Sequence, residues 1–194
     1  MAAFVLGNGV SRQTIEVDTL MAVGTVYGCN ALFRTHTPHV LVATDTPISQ
    51  TIQQSGYSLT NKFYTRMPLK NMGALTVPRK YHGFSSGPIA TGIAALDQHS
   101  RIYLVGFDMG PNEHGMFNNI YADTTFYKPL GSVPTFTGNW IKQILQIAQD
   151  FPQTEFIRVF GATTARVQEF DTIHNIQSLS ITDFVARINN VKDL

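Results

Sequence analysis

The 194-residue chain is poor in charge and in cysteine. Charged residues make up 14%, with 14 Lys or Arg against 13 Asp or Glu, for a net charge of +1. Near-neutrality argues against a dedicated nucleic-acid binder, which carries a basic excess. It also leaves little repulsion between copies, so a homo-oligomer is expected. The single cysteine, Cys29, excludes an intramolecular disulfide framework and a cysteine-rich zinc site. None of the six histidines forms an H-x-x-x-H pair, so zinc is not indicated. No apolar run approaches the ~20 residues that a membrane helix needs. The apolar start, Met1 to Leu6, lacks the basic flank of a signal peptide and runs straight into glycines. The expectation is a cytoplasmic protein with no membrane span.

What is present is a 43% apolar chain, enough for a real core, of a length that suits one domain over 1–194. Ala3 to Leu6, Thr25 to Tyr27, His39 to Thr44, Ile102 to Val105 and Phe156 to Phe160 read as strands, and Lys62 to Thr65 as a further one. Helices are expected over Ser11–Leu20 with Ser11 as cap, over 47–54 with Pro47 in the first turn, and over 89–96, 139–149 and 181–188. Residues 66–82 read as an irregular excursion, and 109–137 as a long, lid-like loop. Near-continuously apolar strands alternating with helices argue for a mostly parallel α/β sheet covered on both faces.

In such sheets ligands bind beyond the carboxyl ends of the strands. The polar and glycine-rich clusters fall there: Gly7-Asn8-Gly9, Gly28-Cys29-Asn30, Asp45 and Gly106-Phe107-Asp108. Ser85-Ser86-Gly87 stands at a helix start. Gly7-Asn8-Gly9 with Ser11 either cradles a phosphate on backbone N–H groups or is an ordinary strand-to-helix turn. It is neither G-x-G-x-x-G, because position 12 is Arg, nor a Walker motif. Ser85 and Ser86 either cap a helix or contact a ligand. Asn30 either hydrogen-bonds a base, sugar or phosphate or closes a turn, and Asp45 and Asp108 either hold a divalent metal or bind ribose hydroxyls, with helix capping as the other role open to Asp45. His82 and His114 are either a general base or ordinary exposed loop histidines. Cys29 is given a packing role before a nucleophilic one.

The segments FVLGNGVSR at 4–12, VYGCNALFR at 26–34, and FSSGPIATGIAAL followed by RIYLVGFDMG over 84–110 resemble the small bacterial CMP-sialic-acid-dependent sialyltransferases. The same pattern is similar to a wider group that includes the archaeal-type 6-hydroxymethyl-dihydropterin pyrophosphokinases. The resemblance implies a single Rossmann-like nucleotide-binding domain. It implies that Asn8 and Gly9 contact nucleotide phosphate and ribose, that Asn30 lies near phosphate or sugar, that Ser86 and Gly87 meet the nucleotide, and that Asp108 lies near base or ribose. The sialyltransferases carry a tyrosine just after that aspartate, where this chain has Gly110, so Tyr121 or Tyr127 would substitute from the loop. The family's catalytic histidine precedes the helix at 139–149, where Pro134 to Gly138 holds none, so His114 would serve as base. The implied activity is glycosyl transfer from a nucleotide-activated sugar, of CMP type first, with no cofactor required. One alternative is magnesium-dependent pyrophosphoryl or nucleotidyl transfer, with Asp45 and Asp108 as the metal pair. The other is a catalytically inactive nucleotide- or sugar-binding or assembly protein. The compact form and the missing lid elements would suit a viral or accessory protein.

Overall fold

A computed structural model describes residues 2–190. Eight strands form one sheet in which every neighbouring pair runs parallel, in the order β5-β4-β3-β2-β1-β6-β7-β8. They are β1 (Ala3–Leu6), β2 (Thr25–Cys29), β3 (Val40–Val42), β4 (Phe63–Thr65), β5 (Leu75–Thr76), β6 (Arg101–Val105), β7 (Glu155–Phe160) and β8 (Ile176–Ser180). The expectation of a mostly parallel sheet thus becomes a wholly parallel one. Strand β1 is central, and the chain winds outward first to one side and then, from β6, to the other. The boundary between β1 and β6 is the topological switch point.

Six helices cover the sheet: α1 (Val17–Val23), α2 (Thr46–Gln54), α3 (Tyr57–Thr60), α4 (Ser86–Leu96), α5 (Gly138–Asp150) and α6 (Ile181–Asn189). Because side chains alternate along a strand, β1 sends Ala3 and Val5 into one core and Phe4 and Leu6 into the other. The first core packs under α4 and α5, the second under α1, α2 and α6. Helix α4 is buried nearly all round, which its alanines and glycines permit. At Gly92 an added Cβ would lie 2.5 Å from the ring of Tyr81, so only glycine allows that approach.

The expected helix over Ser11–Leu20 divides in two. A 3-10 turn spans Val10–Thr14, Ile15 and Glu16 are extended, and α1 begins at Val17. Ser11 caps nothing, because its hydroxyl is drawn to Asp108. Strands β5 and β8 lie outside the sequence expectation. The first is two exposed residues within the irregular 66–82 stretch, and the second is an edge strand of mainly polar residues (Gln177, Ser178, Ser180) without an apolar run. The 109–137 segment has no helix or strand but is tied down: Ile120 N–H donates to the Asn8 carbonyl at 2.9 Å, and Arg34 reaches Thr124 and Thr125. Among the described residues no helix is long and apolar enough to cross a membrane.

Candidate functional site

A cleft of about 550 Å³ lies over the carboxyl ends of β1, β2 and β6, closed on its far side by the 109–137 segment. Its size is that of a small-molecule pocket. Gly7, Asn8, Gly9, Asn30, Asp45, Ser85, Gly87 and Asp108 all line it. Ser11, Ser86, His114 and Tyr121 do not.

The first turn directs most of its backbone donors inward. Gly7 N–H donates to the Val105 carbonyl at 2.8 Å and Gly9 N–H to the Gly106 carbonyl at 2.9 Å. Val10 N–H donates to Asn118 Oδ1 at 2.8 Å and Ser11 N–H to Asp108 Oδ2 at 3.0 Å. Four of the five backbone N–H groups from Gly7 to Ser11 thus already have acceptors within the protein. The turn's second glycine has a packing reason: a Cβ on Gly9 would lie 2.5 Å from Asp108 Cγ. Asn8 is different. Its amide Nδ2 donates to the Tyr127 hydroxyl at 3.3 Å, and its buried Oδ1 has no donor partner.

Asp108 is 3% exposed and saturated. The Ser11 hydroxyl and N–H, Asn118 Nδ2 and the hydroxyls of Thr163 and Thr164 all donate to its carboxylate. A carboxylate has about four lone-pair positions, so a cation there would have to displace donors. The Asp45–Asp108 pair therefore does not fit a magnesium site, and the described residues contain no group of three or more His, Cys, Asp or Glu placed to hold a metal. Asp45 itself is exposed, and its carboxylate makes no cap bond to α2.

The helix start of α4 is shaped by both serines. Ser86 Oγ donates to Asn30 Oδ1 at 3.1 Å and accepts from Thr44 N–H at 3.1 Å. Its hydroxyl thus joins β2, β3 and α4 rather than facing the cleft. Ser85 Oγ accepts from Trp140 Nε1 at 3.0 Å, and neither hydroxyl caps α4. Asn30 sits at φ 49, a left-handed conformation uncommon outside glycine and asparagine.

His114 stands on an exposed turn, its side chain 74% accessible and 3.6 Å from Glu113. It lies outside the cleft, so the expected base is not brought to the site. Tyr121 also faces away, with its hydroxyl accepting from Arg12 at 3.1 Å. Tyr127 is the loop tyrosine that lines the cleft. Burial pushes its phenol up to about 12, so it keeps its proton at neutral pH. Burial likewise pushes the Cys29 thiol up to about 12, which fits packing and not nucleophilic work.

Several cleft residues escaped sequence reasoning, among them Phe126, Arg66, Lys128 and Trp140. Arg66 comes from the 66–82 excursion, anchored by donating to the carbonyls of His82 and Phe84. Lys128 comes from the 109–137 segment, and Trp140 from the apolar stripe of α5. No local motif marks any of them. A buried cation, Arg158, donates to the carbonyls of Phe107, Asp108 and Ala165 and holds the strand end beneath the cleft.

No family model, curated protein or solved structure matches the chain. The class follows from its own architecture: an all-parallel, Rossmann-like α/β domain with a ligand-sized cleft at its switch point.

Proposed function

We propose that this chain is a nucleotide-dependent transferase that takes a sugar from a nucleotide-activated donor, with cytidine monophosphate as its first candidate nucleotide. One observation supports the reading above the others: the cleft stands where the strand order reverses, and the start of an eleven-residue helix, α4, opens onto it. The first N–H groups of a helix have no carbonyl one turn back, so they favour an anion. The helix dipole adds roughly 0.3–1 kcal/mol for an exposed anion. Arg66 and Lys128 add cationic charge along the same wall. In this reading the phosphate sits at Gly87 rather than on the first turn, where four of the five N–H groups from Gly7 to Ser11 are already bonded. Asn8 offers an amide to ribose or phosphate, and the rings of Phe126 and Trp140 offer flat apolar surface to base and sugar. Tyr127 takes the part that the sialyltransferase resemblance gives to a loop tyrosine, donating its phenolic proton toward the departing phosphate oxygen.

The test is thermal denaturation with CMP, CDP, UDP and ATP, each with and without magnesium. CMP without metal is expected to raise the midpoint, since ligand at 100 times its Kd stabilises a fold by about 2.7 kcal/mol. A response only with magnesium favours pyrophosphoryl or nucleotidyl transfer instead. No response to any nucleotide overturns the reading.

A further inference from the structure

A second cavity of about 200 Å³ adjoins the first, lined by Asn30, Asp45, Pro47, Ile48, Phe126 and Tyr127. Asn30, Asp45, Phe126 and Tyr127 line both cavities. The geometry points to this cavity as the acceptor subsite, with Asp45 as the general base that the cleft otherwise lacks. The inference rests on the nucleotide-sugar reading and adds to it the acceptor and the base.

Three features carry it. First, the wall is Pro47, Ile48, Phe126 and Tyr127. Such a wall suits the C–H face of a sugar ring, which is apolar while its hydroxyls stay polar. Second, the one carboxylate in the wall is unspent. Asp45 makes no side-chain cap bond to α2 and enters no ion pair among the described residues. Third, Asp45 stands at the wall common to both cavities, where an acceptor hydroxyl in the small one would face a donor in the large one. The other cleft carboxylate, Asp108, has its oxygens filled by donors.

The step balances without a co-reactant. The acceptor hydroxyl oxygen forms a bond to the anomeric carbon of the donor, and the bond from that carbon to the phosphate oxygen breaks. The electron pair leaves with the nucleotide phosphate, and the hydroxyl proton goes to the Asp45 carboxylate. A saccharide acceptor is the class that the wall selects.

The test uses the full chain with CMP-sialic acid as donor and p-nitrophenyl β-galactoside as acceptor, following both CMP release and the transfer product. Asp45→Asn is expected to fold and to keep the thermal response to CMP while losing transfer at least 100-fold. Phe126→Ala is expected to raise the KM for the galactoside at least tenfold. Transfer by Asp45→Asn at the wild-type rate overturns the assignment. So does wild-type protein that responds to CMP but turns over no donor. Absence of any CMP response in the wild type defeats the underlying nucleotide reading instead, so the two failures are distinct.

Discussion

Asp108 joins pieces of chain that are far apart in sequence. Its donors come from Ser11, 97 residues away, from Asn118, 10 away, and from Thr163 and Thr164, 55 and 56 away. A Gly-x-Asp strand end is visible in the sequence, and its expected meaning is ligand or metal contact. The structure makes it a latch, because hydroxyl and N–H donors converge on it before any ligand arrives. Asp108→Asn replaces an acceptor-only group with one that presents N–H to those same donors. The variant is expected to lose about 1–3 kcal/mol of stability. Urea denaturation measures that loss, and an undiminished midpoint would show that the donors can rearrange freely. Asn8, Asn30 and Asp45 are legible as cleft residues because each stands just past the end of a strand-forming run. Arg66, Lys128 and Trp140 are not, since their place depends on how loops and a helix return over the sheet.

Among elements, legibility follows hydrophobic contrast. Strands β1, β3 and β6 are buried on both faces, so each carries a continuous apolar run, and β7 reads as a strand from apolar residues interrupted by the buried Arg158. Strand β8 is held instead by its backbone ladder to β7 and by the helix that follows. Helix α6 starts where Ser180 Oγ accepts from Asp183 N–H at 3.1 Å. Its Phe184 is fully buried and meets the rings of Phe4 and Tyr103 at 6.0 and 5.3 Å between centroids. That ring closes the second core over the centre of the sheet. Phe184→Ala is expected to cost about 3–5 kcal/mol. Chemical denaturation reads the loss directly, and a cost under 1 kcal/mol would mean that α6 is a surface appendage.

For the whole molecule, buried acids that must stay neutral set a limit at alkaline pH. Burial raises Cys29, Tyr57, Tyr81 and Tyr127 to about 12, and raises Tyr27 further with help from Asp97. Unfolded, the thiol titrates near ~8.5 and the phenols near ~10. Above those values the unfolded chain sheds protons that the folded chain retains, so stability is full below about pH 8.5 and falls as pH rises toward 12. The fully buried thiol alone contributes roughly 1–2 kcal/mol of that loss by pH 10. Arg158, lowered by burial to about 10, acts with the opposite sign above that pH, so the fall is clearest between about 8.5 and 10. Melting midpoints taken from pH 7 to 10 should be flat and then decline, with a shallower decline in Cys29→Ala. A midpoint that rises with pH contradicts the burial of these groups.

From the amino-acid order alone come the α/β class, the parallel strands, most helix positions and the ring of polar clusters at the strand ends. These depend on local apolar runs, turn residues and period, which neighbouring positions carry by themselves. The tertiary structure decides which polar groups remain open. It gives most of the glycine turn and all of Asp108 internal partners, turns His114 and Tyr121 away, and brings Arg66, Tyr127, Lys128 and Trp140 to the cleft. Whether a donor or acceptor is spent depends on a partner dozens of residues distant, and only the folded chain brings the two within hydrogen-bonding reach.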